Sequence, residues 1–211
     1  MTGLRLRGIR RARPDSGVAL IEAALILPFL ALLVFGMIEA GFAFRDGNIL
    51  ARATQQAART DSRLAENLSA DYEALRALDS GLSSLTASSV QRVVIYDATT
   101  VGDEPPAACR TVARPDDTSA VGINSGATRC NVYSATQVRL DAPGSFGCGG
   151  GDWDAAFCPS SRDQDTPNPD RIGVWVELTY DKVTTVLPGN LTLQRASVYQ
   201  LEPCIAGVST C

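Results

Sequence analysis

The chain has 211 residues, enough for one modest domain and a membrane anchor. Five of its 19 basic residues stand in the first 17 positions, and the remainder keeps 14 basic residues against 22 acidic ones. This acidic remainder lacks the basic face that nucleic-acid binding requires, and the absence of histidine removes the commonest general base and the commonest metal ligand.

A long apolar segment follows the basic leader, residues 1–17, and predicts a membrane-spanning helix over residues 18–44. Such a helix is about 40 Å long, which exceeds the ~30 Å hydrocarbon core. The segment contains Glu22, Pro28 and Glu39. About 25 Å along a helix separates the two carboxylates, so we expect them near opposite interfaces. The leader arginines predict that the N-terminus stays cytoplasmic and that the acidic part crosses the membrane.

Residues 45–82 predict a helical stem that continues the membrane helix. No glycine or proline interrupts residues 48–80, and apolar or small residues recur every three or four positions at Ile49, Ala53, Ala57, Thr60, Leu64 and Leu68. Gly81 is the expected stop. Ser69 offers an alternative break, as the N-cap of a separate short helix.

After residue 88 the apolar pattern changes to a period of two, which predicts strands at residues 89–100, 136–141, 171–181 and 191–202. The third strand places Val174 and Val176 on one face and Trp175 on the other. It forms an antiparallel hairpin with the fourth across the turn at residues 188–190. Segments 101–135 and 141–171 are expected to be irregular. The predicted fold class is therefore α+β: the stem helix packs on a small antiparallel sheet, which belongs to a domain of residues 83–211.

All the cysteines lie in this last domain, and their even number favours disulfides in an oxidising compartment such as the periplasm. The expected pairing is sequential, one of fifteen possible schemes. The alternative is free thiols in loops. Without histidine or a CxxC pair, a zinc site is not expected. The candidate residues are Cys109, Cys130, Cys148, Cys158, Cys204 and Cys211.

An acidic stretch over residues 152–170 has two interpretations, a solvated loop or a calcium site. Its oxygen-bearing residues are Asp152, Asp154, Asp163, Asp165, Asn168 and Asp170. They lack the EF-hand order of ligands, so we expect the solvated loop and no metal. The serines have no histidine partner and no nucleophile-elbow motif, so we expect neither an enzyme nor a cofactor.

The apolar segment carries a spaced pattern formed by Gly17, Glu22, Ala24, Leu25, Pro28, Gly36, Glu39 and Gly41. This pattern resembles the N-terminus of TadE-like minor pseudopilins of the tight-adherence (Tad/Flp) pilus system. Ala23 departs from it, since an aromatic residue is common there. The resemblance implies that a membrane aspartyl peptidase cuts between Gly17 and Val18, which makes Glu22 the fifth residue of the mature chain.

The resemblance also implies a non-enzymatic subunit that supports pilus assembly or secretion from the inner membrane. Its implied partners are a prepilin peptidase, a sister pseudopilin, the major pilin, an inner-membrane assembly platform and membrane lipid. Glu22 would pair with the new N-terminal amine of a neighbouring subunit, or would reach the interface as an ordinary snorkelling residue. Residues implied in helix assembly are Glu22, Pro28, Gly36, Glu39 and Gly41.

Two other interpretations remain open at this stage. The chain could be a single-pass anchor that displays a disulfide-stabilised extracytoplasmic binding or adhesin module. It could also carry a secretory signal that is cleaved near Phe44, although Glu22 and Pro28 then have no explanation. The ligand of the last domain and the position of the subunit in a fibre also stay open.

Overall fold

Long helices and a five-stranded antiparallel sheet form the fold, which is taken from a computed structural model. The structure describes residues 15–85, 88–113, 119–165, 167–184 and 189–203. The leader before residue 15 and the predicted Cys204–Cys211 pair lie outside these residues. The arrangement confirms the predicted α+β class. In chain order, the helices and strands are α1 Asp15–Leu64, α2 Ala70–Leu82, β1 Ser88–Ala98, α3 Ala107–Thr111, β2 Val121–Ser125, β3 Thr128–Tyr133, α4 Ala135–Arg139, β4 Arg171–Tyr180 and β5 Leu191–Gln200.

Helix α1 joins the apolar segment and the first part of the stem without a break, and it continues through Pro28. It ends at Leu64, where Ala65 takes a left-handed conformation with φ of 48°. Ser69 precedes α2, but its hydroxyl donates to the Asn67 side chain and does not cap the helix. The stem is therefore not one continuous helix but two helices, α1 and α2, that form a hairpin. The break lies just before Ser69, which is the alternative that the sequence offered.

The sheet has the strand order β2-β3-β1-β4-β5, with every neighbouring pair antiparallel. Strand β1 lies at its centre. The predicted hairpin is confirmed, since β4 and β5 pair along their whole lengths, from Arg171 opposite Gln200 to Tyr180 opposite Leu191. Strand β5 forms one edge of the sheet.

Both faces of the sheet carry a core. The larger core joins small and aliphatic residues of α1 and α2, including Leu50, Ala53 and Ala57, to Val174 and Val176 of β4. The smaller core lies on the opposite face and contains Trp175, Tyr96 and the Cys109–Cys130 disulfide. The expected alternation along β4 and the expected cover of the sheet by the stem helix are thus confirmed.

Two parts of the strand prediction were wrong. Residues 136–141 were expected as a strand, but residues 135–139 form α4. The reason is a capping box, in which the Ser134 hydroxyl accepts from the Gln137 amide and the Gln137 side chain accepts from the Ser134 amide. Strands β2 and β3 were placed in an irregular segment. Both strands are short and rich in polar residues, and β2 contains a glycine, so their period of two is hard to recognise.

Candidate assembly site: the membrane helix and its junction with the sheet

Helix α1 has two halves with different surroundings. Residues 18–38 are exposed along almost their whole surface, and within the described residues α1 is the one helix that is long and apolar enough to cross a membrane. Glu39 is the first fully buried side chain. The exposed half contains roughly 20 residues, or about 30 Å of helix, which matches the hydrocarbon thickness of a bilayer.

Glu39 attaches the helix to the folded part at the end of this exposed half. Its carboxylate accepts hydrogen bonds from the Val183 amide at 3.0 Å and from the Thr184 amide and hydroxyl, both at 2.7 Å. The carboxylate therefore holds the segment that follows β4 against α1. Burial and the nearby Glu39 carboxylate raise the pKa of Tyr180 to about 12, which keeps that phenol protonated.

Two further acidic residues, which lie farther along α1 toward its C-terminal end, attach the helix to the folded part. Asp46 is buried and accepts from the Ser88 hydroxyl at 2.7 Å, where β1 begins. Asp61 is buried and pairs with Arg162 at 2.9 Å, in the loop before β4. Along the helix, Asp46 lies about 10 Å and Asp61 about 33 Å from Glu39. Because three carboxylates bind three separate segments, the rotation of α1 against the sheet is fixed.

The pair at Asp61 belongs to a buried network around the guanidinium of Arg162. Arg162 also binds Asp71 at the start of α2, and Asp71 accepts from Asn131 at 2.8 Å and from the Tyr133 hydroxyl. Burial alone would lower the pKa of Arg162, but Asp61 and Asp71 reverse this effect and raise it. Burial raises the pKa of Asp61 to about 7, although Arg162 acts in the opposite direction.

A groove opens at the level of Glu39, between α1 and the turn that joins β4 to β5. It has a volume of about 430 Å³ and is lined by Glu39, Ala40, Ala43, Tyr180, Lys182, Gly189, Asn190 and Leu191. Most of its accessible surface is apolar. The groove therefore continues the apolar surface of the exposed half onto the folded part.

The predicted processing and assembly residues lie along the exposed half. Gly17 is in the first turn of α1, and Val18 and Glu22 are exposed. Gly36 and Gly41 have no atom of another segment within 4 Å of an added Cβ, so their surroundings leave room for a neighbouring helix. Glu22 and Glu39 lie far apart on α1, which agrees with their separation of 17 positions along one helix. The roles of these residues remain predictions.

Four charged residues of the junction were not expected from the sequence: Asp46, Asp61, Asp71 and Arg162. A signal was present, because Asp46 and Asp61 fall on the same side of a helix as Glu39 and the small residues Ala53 and Ala57. A charged residue on the apolar side of a stem helix indicates a buried partner. The partner could not be identified, since Arg162 is about a hundred positions away in a segment expected to be irregular.

Two of the cysteine pairs form disulfides, Cys109–Cys130 and Cys148–Cys158, and both coincide with the sequential scheme. In the acidic stretch, carboxylates accept hydrogen bonds from backbone amides of the same loop. Asp154 accepts from the Cys148 amide at 3.0 Å, and Asp152 accepts from the Gly149 amide at 2.7 Å. Within the described residues, no group of three or more acidic or cysteine side chains is arranged to hold a metal ion.

Within the described residues, the fold and this junction define a protein with one N-terminal helix that is long and apolar enough to serve as a membrane anchor, and this helix is fixed to a disulfide-containing α+β domain. Residues 17–59 match the family model described as TadE-like protein, and this confirms the TadE-like resemblance of the N-terminal segment. The match covers about a fifth of the chain. It supports a membrane-anchored protein related to the Tad pilus system and associated with pilus components. Comparisons with curated proteins and with solved structures gave no match.

Proposed function

We propose that this chain is a pseudopilin-like subunit that supports the assembly or secretion of a tight-adherence pilus. A prepilin peptidase removes residues 1–17, and the helix that begins at Val18 joins neighbouring subunits in the inner membrane. The domain after the helix lies in the periplasm. The partners are the peptidase, a sister pseudopilin, the major pilin and the assembly platform.

The observation that carries this proposal is the division of α1 at Glu39. The half before Glu39 is apolar, exposed and long enough to span a bilayer, whereas the half after it is held by three carboxylates. A helix fixed in this way transmits force and position from the membrane to the domain. Such coupling suits a subunit that is pulled out of the membrane during assembly.

The geometry also argues against a secretory signal cleaved near Phe44. That cut would remove Glu39 and leave the Val183 and Thr184 amides without their acceptor. It would also remove Glu39, Ala40 and Ala43 from the lining of the groove. A single-pass anchor with a displayed binding module keeps all these contacts, so it remains the alternative function.

Two substitutions separate cleavage from assembly. Gly17→Leu places a bulky side chain beside the scissile bond, so we expect the leader to remain attached. Glu22→Gln keeps the size of the side chain and loses its charge. We expect this variant to be cut but to lose co-purification with its pilus partners, because the pairing with a neighbouring N-terminal amine is lost.

Cleavage is measured as a size shift on a gel, and assembly by co-purification from solubilised membranes. Normal processing of Gly17→Leu would exclude the prepilin interpretation. Normal assembly of Glu22→Gln would show that Glu22 is an ordinary interfacial residue. If both variants behave like the unmodified chain, the single-pass anchor is the better description.

A further inference from the structure

The outward face of the second half of α1 carries a line of arginines. Arg45, Arg52 and Arg59, here called the basic stripe, follow one another at seven-residue intervals, and all three are exposed. Seven residues make nearly two turns, so the stripe runs along the helix for about 21 Å. The two acids between residues 45 and 64, Asp46 and Asp61, are both buried against the domain. The exposed surface of this half is therefore cationic.

The arginine side chains of the stripe make only one hydrogen bond within the described part of the chain. Arg45 makes one long hydrogen bond, at 3.5 Å, to the Ser84 carbonyl. The side chains of Arg52 and Arg59 form no hydrogen bond or ion pair with any described residue. Another exposed arginine does pair with an acid, since Arg63 lies 3.8 Å from Glu202. The donors of the stripe thus remain available to another molecule.

A crevice lies beside the stripe and provides a concave surface next to its positive charge. It has a volume of about 550 Å³ and is lined by Phe44, Arg45, Asn48, Ile49, Arg52 and Ser84. Phe44 is 74% exposed, and Ile49 is half-buried at the edge of the larger core. The lining contains two arginines and no acid. It therefore fits a partner that presents carboxylates next to apolar side chains.

We propose that the basic stripe and its crevice bind the acidic domain of a second copy of this chain. Residues 70–211 contain 17 acidic and 10 basic residues, so each copy offers the complementary charge. Copies anchored in one membrane stand side by side, which brings the stem of one to the level of its neighbour's domain. The contact joins different surfaces of the two copies, so it extends along a row of subunits.

A membrane surface fits this stripe less well than a protein does. Helix α1 leaves the bilayer at about Glu39, so Arg45 lies near the headgroups and Arg59 lies about 21 Å farther out. That distance exceeds the ~10 Å screening length of 0.1 M salt. A neighbouring domain reaches all three arginines. The inference rests on the membrane anchoring in the proposed function, but it does not require removal of the leader.

Photo-crosslinking in cells tests the inference. A photoreactive residue replaces the exposed Gln56, which lies one turn from both Arg52 and Arg59. The full chain is expressed in its membrane, and mass spectrometry identifies the adduct. We expect an adduct between two copies, located in residues 70–211 of the second copy. The variant R52E/R59E should reduce its yield by about 5- to 10-fold, because two attractions become repulsions.

The matched control is R139E, compared with the single variant R52E, because both change the net charge by the same amount and the exposed Arg139 lies outside the stripe and its crevice. The control and the variant R52K/R59K should retain most of the adduct. Equal loss in the control, no loss in R52E/R59E, or an adduct with a phospholipid or another protein would overturn the inference. The mass of the N-terminal peptide in the same samples shows whether the leader has been removed, and so tests the proposed function separately from the contact between copies. Failure of the crosslink in a membrane-anchored chain rejects only the contact between copies.

Discussion

At the scale of single residues, Glu39 shows how neighbours decide the role of a carboxylate. The sequence places it in an apolar helix, where a charge is costly unless it is satisfied. The structure supplies two backbone amides and a hydroxyl as donors, and it places the carboxylate where the domain begins. Glu22 has no such donors among the described residues of its own chain. That difference is the reason to look for its partner on another subunit.

Gly173 gives a prediction for the sheet. It lies opposite Tyr96, and a Cβ at this position would enter the space of the Tyr96 ring. We expect Gly173→Ala to destabilise the domain by about 1–3 kcal/mol through overpacking. Urea unfolding of the detergent-solubilised full chain, followed by tryptophan fluorescence, measures this change. Gly144→Ala is the control, because an added Cβ there has no atom within 4 Å. Equal stability of the two variants would show that Tyr96 moves aside at no cost.

At the scale of elements, the Arg162 network joins α1, α2, β3 and the loop before β4. It gives the domain an unusual dependence on pH. The native pKa of Asp61 is about 7, whereas an unfolded aspartate titrates near pH 4. Between these values the native state holds a proton that the unfolded state has released. This contribution to stability is therefore present at low pH and is lost as the pH rises through about 7.

Asp61→Asn tests that dependence, since the amide resembles the protonated carboxyl and does not titrate. We expect the free energy of unfolding of the unmodified chain to fall by about 1–3 kcal/mol, relative to Asp61→Asn, between pH 5 and pH 8. Urea unfolding at several pH values measures the difference, and groups common to both proteins cancel. A constant difference across this range would mean that Asp61 is ionised throughout.

The disulfides link elements that the sequence separates. Cys109–Cys130 connects α3 to β3 in the smaller core, and Cys148–Cys158 closes the loop that leads to Arg162. Non-reducing peptide mapping of protein from the membrane should recover both pairs. The pairing of Cys204 with Cys211 is a further expectation of the same experiment. Free thiols at all six positions would contradict an oxidising compartment and the orientation that follows from it.

At the scale of the whole molecule, the leader arginines and the acidic domain predict the orientation in the membrane. Two reporter enzymes can be fused after Cys211, one that is active only in the periplasm and one that is active only in the cytoplasm. We expect activity from the periplasmic reporter and none from the cytoplasmic one. The opposite result would place the domain in the cytoplasm. A cytoplasmic domain would contradict the proposed role in pilus assembly.

The architecture could be predicted from the sequence where a pattern is long or repeated. The apolar run of α1 and the alternation along β4 are such patterns, and both elements form as expected. Strands β2 and β3 could not be predicted, because their pairing depends on a close approach at Gly122, where an added Cβ would clash with the Cys130 carbonyl and with Ala156. Helix α4 depends on one capping box. The contacts of Asp61 depend on an arginine about a hundred positions away.

The central claim is that the mature chain begins at Val18 and keeps the rest of α1 as far as Leu64. The most direct test is the intact mass and N-terminal sequence of protein purified from the membrane. The account predicts a single species that begins at Val18, with Glu22 as its fifth residue and Glu39 still attached to the domain. A chain that retains its leader, or one that begins near Phe44, would contradict it.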